Sequence, residues 1–235
     1  MAVEEVALAG GRTTSGVVRV GDTVRRPLKS NSAFVHQLLT YLESKGFSGA
    51  PRFLGIDLAN REILSFIPGF VPDNLGEFSG TQLAAAARLL RAFHDATTDC
   101  ELKGSKEVIC HGDASPCNCV LVDGVPTAFI DFDAARAGSR REDLGYAAWL
   151  WLDIGKDIDA ELQGQRLRDF FIAYGQVDIR DAVPAVIDAQ VRLASRSGAP
   201  REWAESCREW TERYRASLLR ACTSRLDPTK NTGNG

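Results

Sequence analysis

Short runs of alternating apolar and polar residues, separated by turn residues, fill much of the first 66 positions. Such runs predict β-strands, because successive side chains of a strand point to opposite faces. Gly21-Asp22 separates two of the runs at the spacing of a tight hairpin. Ser32 is interpreted as an N-cap, and apolar residues at helical spacing after it predict a helix over 32–45. The predicted strands are 3–8, 17–20, 23–26, 53–57 and 62–66.

Beyond the Pro68-Gly69 break, helical periodicity replaces most of the alternation. The predicted helices are 80–97, 141–154, 159–174, 181–195 and 200–224, and the predicted strands are 108–110, 119–122 and 127–132. The sequence therefore predicts an α+β chain with two lobes and a ligand cleft between them. We expect a small β-rich lobe over 1–66, a hinge at 67–69, a larger helical lobe over 70–227 and a flexible tail over 228–235.

Composition narrows the class of protein. Of the 235 residues 44% are hydrophobic and 25% charged, which excludes a disordered, collagenous or coiled-coil chain. The net charge of −3 argues against a general nucleic-acid binder. The longest apolar stretch, 144–152, is far shorter than the roughly 20 residues that span a bilayer. Because Glu4 and Glu5 stand where a secretory signal carries positive charge, we expect a cytoplasmic protein with free thiols and no membrane partner.

The segment 108–132 carries the strongest chemical signal. It contains His111-Gly112-Asp113, with Asn118 five residues after Asp113 and Asp131 after a further short hairpin. A hairpin places its ends side by side, so Asn118 and Asp131 are expected to face one point. An amide oxygen and a carboxylate suit a magnesium ion that is already held by the phosphates of a nucleotide. Asp113, at the rim of the same turn, could then orient an attacking hydroxyl group.

This segment resembles the catalytic segment of the aminoglycoside phosphotransferase and choline kinase-like family, which has the protein-kinase-like fold. The residues that carry the resemblance are His111-Gly112-Asp113, Asn118 and Ile130-Asp131-Phe132. Other features follow in the family's order, so that the resemblance covers most of the chain: the Gly10-Gly11 loop, the 17–27 hairpin, the 66–69 joint and Glu142-Asp143-Leu144.

The resemblance implies transfer of the γ-phosphate of ATP, with GTP as the alternative donor, to a hydroxyl group of a small molecule in the presence of Mg²⁺. It implies that Asp113 is the catalytic residue and that Asn118 and Asp131 bind Mg²⁺. It further implies nucleotide contacts from Gly10, Gly11, Arg25 and the backbone of Ser65, Phe66 and Ile67, and supporting roles for His111, Asp133 and Asp143.

Two positions depart from the family pattern. Val24-Arg25-Arg26 stands where the family's third strand carries a Lys, and strand alternation selects Arg25 as the phosphate contact; the alternative is a solvated charge. Where the following helix of the family carries a Glu, His36 is the nearest polar candidate. These departures leave open a pseudokinase that binds nucleotide without transferring phosphate. A metal-dependent phosphohydrolase is a weaker alternative; it would use Asp113, Asp131 and Asp133.

The sequence does not specify the acceptor. An acidic cluster would suit a cationic acceptor such as an aminosugar, although a solvated helix face is the favoured interpretation. Its members are Asp153, Asp157, Asp159 and Glu161. The cysteines around the motif lack the C-x-x-C spacing of a zinc site, so we interpret them as small apolar residues beside the catalytic loop. They are Cys110, Cys117 and Cys119.

Overall fold

An antiparallel sheet and one helix form the N-terminal part of the chain. A computed structural model describes residues 4–8, 16–75, 77–196 and 200–224; the Gly10-Gly11 loop and the 228–235 tail lie outside the described residues. The strands are β1 (Val6–Ala7), β2 (Val18–Val20), β3 (Thr23–Pro27), β4 (Phe53–Ile56) and β5 (Arg61–Ser65). Their order in the sheet is β1-β2-β3-β5-β4. Helix α1 (Ser32–Ser44) connects β3 to β4 and agrees with the predicted helix, except that Asn31, and not Ser32, is its N-cap.

The C-terminal part is mostly helical. Its helices are α2 (Gly80–Ala96), α3 (Arg140–Leu152), α4 (Ala160–Tyr174), α5 (Ala182–Ala194), α6 (Pro200–Arg213) and α7 (Arg215–Thr223). Four short strands form two antiparallel pairs. Strand β6 (Val108–Cys110) pairs with β9 (Arg136–Gly138), and the hairpin of β7 (Cys119–Val122) and β8 (Val125–Phe129) lies between them in the sequence. None of the described helices is long and apolar enough to cross a bilayer.

Four elements differ from the sequence-based expectation. Within the described residues 4–8, strand β1 covers only Val6–Ala7 of the predicted 3–8. The helix predicted over 200–224 is two helices, because the backbone at Tyr214 leaves the helical region (φ −100°, ψ 10°). The strand predicted to reach residue 132 ends at Phe129, because Asp131 adopts a left-handed conformation (φ 59°) and starts a 3₁₀ turn. Strand β9 was not predicted, since three residues of mixed polarity carry no periodic signal.

The helical core supports the segment that carries the motif. Phe93 of α2 is fully buried and packs its ring against Phe132, with 5.7 Å between centroids. The indole N–H of Trp151, on α3, donates to the carbonyl of Ala114 at 2.9 Å. Two helices therefore contact the residues that immediately follow Asp113 and Asp131.

Candidate active site

The loop that carries His111-Gly112-Asp113 begins where β6 ends, and only glycine fits its second position. Gly112 has φ 78°, and a Cβ at this position would lie 2.3 Å from the carbonyl oxygen of Ala134. The loop is then held by the carboxylate of Asp143, which accepts the backbone N–H groups of His111 at 2.7 Å and of Gly112 at 2.9 Å. His94 also contacts this carboxylate through Nε2 at 3.0 Å.

His111 stays neutral and braces the same loop. Its Nε2–H donates to the carbonyl of Ile130 at 3.1 Å, and its Nδ1 accepts the backbone N–H of Asp113 at 3.3 Å. Burial lowers the pKa of His111, and the nearby carboxylates only partly offset this effect. A buried neutral imidazole with both nitrogens engaged positions the backbone and leaves no nitrogen for proton transfer.

Asp143→Asn is expected to destabilise the fold by about 2–4 kcal/mol at neutral pH, because the amide turns one acceptor oxygen into a donor that faces N–H groups. Burial disfavours the charge of Asp143, yet the hydrogen bond and charge of His94 keep its pKa below the ordinary value. The stabilisation by this carboxylate is thus present above the unfolded-state pKa of about 4 and lost as pH falls. Chemical denaturation from pH 7 to pH 3 should show the deficit of the variant shrinking.

Asp99→Asn, at an exposed position, is the matched control for this change. It should unfold like the parent at every pH. A deficit in Asp143→Asn that stays constant down to pH 3 would contradict the role of the charge.

The carboxylate of Asp113 connects two sides of the site. Its Oδ2 accepts from Nδ2 of Asn118 at 2.9 Å, and its Oδ1 accepts from the hydroxyl of Tyr146 at 3.2 Å. Asn118 also donates Nδ2 to the Asp113 carbonyl at 3.0 Å, and its own carbonyl accepts the N–H of Ile130 at 2.9 Å. Asn118 therefore lies beside the end of β8, next to Asp131, as expected for two residues at the ends of one hairpin.

These residues fit a magnesium ion that is held jointly with phosphate groups. Both contacts of the Asn118 amide use its nitrogen, and in the described part of the chain its Oδ1 accepts no hydrogen bond. Asp131 adds a carboxylate at the neighbouring position. No three His, Cys, Asp or Glu side chains among the described residues are grouped to hold a metal by themselves. Magnesium often needs only one or two protein oxygens when phosphates supply the rest.

Two cations of the N-terminal part neutralise the carboxylates after β8. Arg26 reaches Asp131 at 3.0 Å through Nη1 and Asp133 at 2.7 Å through Nη2, and the Lys29 ammonium also contacts Asp133. Burial and the charge of Asp133 raise the pKa of Asp131. The pKa of Asp133 is lowered, because Lys29 and Arg26 outweigh the effect of burial. The cleft thus concentrates opposite charges where a polyphosphate and its cation would bind.

The structure places Arg26, instead of Arg25, in this cleft. Arg25 lies on the opposite face of β3, where it donates to the hydroxyl of Thr23 at 2.8 Å and lies 3.8 Å from the Asp57 carboxylate. Neighbouring residues of a strand face opposite sides, so an error of one residue in matching the family pattern exchanges the two arginines. Of the two arginines, only Arg26 therefore faces Asp131 and Asp133.

A buried glutamate that the sequence did not reveal holds Arg26 in place. Glu62 is fully buried on β5, directly across from Arg26 in the sheet, and its carboxylate lies 2.5 Å from Arg26 Nε. Its other oxygen contacts Nε2 of His36 at 2.6 Å, and the His36 ring stacks on Phe53 with 3.8 Å between centroids. The only signal in the sequence was a lone carboxylate within an apolar strand.

Two of the three backbone N–H groups at the joint after β5 are already hydrogen-bonded within the protein. The N–H of Ser65 donates to the backbone carbonyl of Arg52 at 2.9 Å, and the N–H of Phe66 donates to the backbone carbonyl of Asp22 at 2.9 Å. Within the described residues, the backbone N–H of Ile67 has no hydrogen-bond acceptor. Of the three residues predicted to contact the nucleotide through their backbone, Ile67 is the one whose N–H group is still available as a donor.

The fold is shared with kinases and phosphotransferases of known structure. A choline/ethanolamine kinase family protein from Mesorhizobium loti superposes with a TM-score of 0.61 at 16% identity over 94% of this chain and 92% of that one. Ethanolamine kinase from Plasmodium vivax gives 0.66 at 14% identity, over 92% and 84%. An aminoglycoside phosphotransferase from Streptomyces rimosus, in complex with ADP and streptomycin, gives 0.54 at 14% identity, over 88% and 91%. The predicted protein-kinase-like fold is confirmed.

The family follows from the sequence. The model of the phosphotransferase enzyme family matches residues 98–182, which include His111-Gly112-Asp113, Asn118 and Asp131. The trifolitoxin immunity protein of Rhizobium leguminosarum bv. trifolii is 34% identical over 178 residues, which cover 68% of this chain and 67% of the relative. The chain belongs to the phosphotransferase enzyme family, as its motif predicted.

Proposed function

We propose that this protein transfers the γ-phosphate of ATP to a hydroxyl group of a small molecule, with GTP as the alternative donor. The observation that carries the proposal is the convergence of Asp113, Asn118 and Asp131 with Arg26 at one end of the β7–β8 hairpin. The nucleotide would lie between the 1–66 lobe and the 70–227 lobe, with Ile67 of the 67–69 hinge at the adenine edge.

The residues divide the reaction between them. Arg26 and Lys29 would exchange their carboxylate partners for phosphate oxygens, which neutralises the donor. Mg²⁺ held by Asn118 and Asp131 would supply further charge neutralisation and orient the phosphates. The acceptor oxygen bonds to the γ-phosphorus, the bond from that phosphorus to the β–γ bridging oxygen breaks, and ADP leaves. Asp113 orients the acceptor hydroxyl and takes its proton.

The Arg26–Glu62 pair favours an active enzyme over a pseudokinase. The absence of an acid early in α1 was the feature that suggested an inactive site. Glu62 supplies that acid from β5, and His36, at the position of the expected acid on α1, supports it. The guanidinium group of Arg26 is therefore oriented towards Asp131 without a glutamate on helix α1.

Arg26→Ala is expected to weaken Mg-ATP binding roughly 10- to 100-fold, the effect of losing charge-assisted contacts to phosphate. Arg25→Ala, one residue away on the outer face of β3, is the matched control and should bind like the parent. Isothermal calorimetry on the three proteins measures the difference. Equal affinities for Arg26→Ala and the parent would remove Arg26 from the nucleotide site.

The proposed function itself is tested by ADP release in the presence of Mg-ATP, with and without a panel of hydroxylated acceptors. The proposal predicts release that depends on one acceptor class. Nucleotide binding without release would identify a pseudokinase, and release independent of every acceptor would identify a phosphohydrolase.

A further inference from the structure

Three arginines line a groove next to the catalytic loop. The groove, here called the arginine groove, lies between β9, the first turn of α3 and the end of α5. It is lined by Gly112, Arg136, Glu142, Tyr146, Arg192 and Arg196. Its position follows from the topology, because β9 pairs with β6, which leads directly into the catalytic loop.

The charges in the arginine groove do not balance. Arg136 and Arg192 share one carboxylate: Arg136 bonds to Oε1 of Glu142, and Arg192 Nε lies 3.8 Å from the same oxygen. Arg192 is also anchored by donating Nη2 to the Glu142 carbonyl at 3.0 Å. Arg196 has no carboxylate within 4.0 Å among the described residues. Asp143 is committed to the loop N–H groups and His94, so three guanidinium groups face one available carboxylate.

Asp113 connects this groove to the proposed phosphoryl-transfer site. One carboxylate oxygen faces Asn118 on the metal side, and the other receives the hydroxyl of Tyr146, which lines the groove. Tyr146 therefore contacts both: its hydroxyl group bonds to Asp113, and the residue lines the arginine groove together with Arg192 and Arg196.

We propose, resting on the function above, that the acceptor is a hydroxylated small molecule with an anionic group, a carboxylate or a phosphate, which Arg192 and Arg196 bind. Guanidinium groups recognise both anions through paired hydrogen bonds. The acidic residues that would suit an aminosugar lie elsewhere. Asp157, Asp159 and Glu161 line a separate cavity against α7 that shares no residue with the arginine groove.

The first test uses inorganic phosphate as the probe, titrated into the protein saturated with Mg-ADP. The parent should bind phosphate saturably. The double variant Arg192→Gln/Arg196→Gln should lose this binding at least about tenfold, a free-energy difference of about 1.4 kcal/mol. Arg201→Gln, an exposed arginine of α6 paired with Glu205, is the control and should bind phosphate like the parent. If the double variant bound phosphate as tightly as the parent, the phosphate would lie at the position of the transferred phosphoryl group, and this result would contradict the anion site.

The second test offers acceptors of different charge with Mg-ATP: D-glycerate, glycerol 3-phosphate, glycerol, ethanolamine and kanamycin. We expect transfer to an anionic member, with a KM raised about tenfold or more in the double variant and unchanged affinity for Mg-ATP. Transfer to glycerol, ethanolamine or kanamycin, with unaltered phosphate binding in the double variant, would overturn this inference and leave the proposed function intact. Phosphate binding that depends on Arg192 and Arg196, with no ADP released for any acceptor, would support the anion site and contradict the transfer function.

Discussion

Asp113→Asn is expected to reduce turnover by roughly 10²-fold or more, the usual effect of losing a general base. Mg-ATP affinity should stay within about twofold of the parent, a difference of ~0.4 kcal/mol. The variant keeps the local structure, because its amide oxygen can accept from Asn118 while its amino group donates to the Tyr146 hydroxyl oxygen. Steady-state ADP release and calorimetric titration, on the same preparations, measure both quantities.

The paired result distinguishes the mechanisms. A phosphohydrolase with Asp113 on its metal would lose metal-dependent nucleotide binding together with turnover. Retained turnover in Asp113→Asn would exclude Asp113 as the proton acceptor.

Asp131→Asn is expected to abolish the magnesium dependence of ATP binding and to lower turnover below detection. The substitution removes the anionic oxygen that would bind Mg²⁺, and it leaves Arg26 without one of its carboxylate partners. Asn is chosen because it tolerates the left-handed backbone of Asp131. Calorimetric titrations of ATP with Mg²⁺ and with EDTA measure the dependence.

Asp123→Asn is the matched control, since Asp123 also has a left-handed backbone (φ 50°) but lies at the exposed β7–β8 turn. It should keep the full magnesium dependence. If Asp131→Asn bound Mg-ATP as tightly as this control, the assignment of Asp131 to the metal would be wrong.

The sequence predicts those parts of the site whose residues lie close together along the chain. Asp113, Asn118 and Asp131 come from one short segment, and the hairpin that joins them brings Asn118 beside Asp131. Their spacing was therefore sufficient to predict their proximity. Asp143 was predicted as a supporting residue from the family pattern, while the bond from His94 to it depends on how α2 packs against α3.

The parts that the sequence did not reveal depend on register or on distant elements. One residue of strand register separates Arg25 from Arg26, and no single-sequence pattern fixes that register. Glu62 reaches Arg26 only through the pairing of β5 with β3, across 36 residues of chain. The arginine groove combines β9, α3 and α5, so its charge emerges only when the helices pack.

The fate of the γ-phosphate distinguishes a phosphotransferase from a phosphohydrolase and from a pseudokinase. The protein is incubated with Mg-ATP labelled in the γ-phosphate and with the charged and neutral acceptors, and the label is traced by mass spectrometry. We expect the label to appear in a phosphate ester of one acceptor, in amounts equal to the ADP formed, and Asp113→Asn to form this ester roughly 10²-fold more slowly. Label found only as inorganic phosphate, or retained in bound ATP, would contradict it.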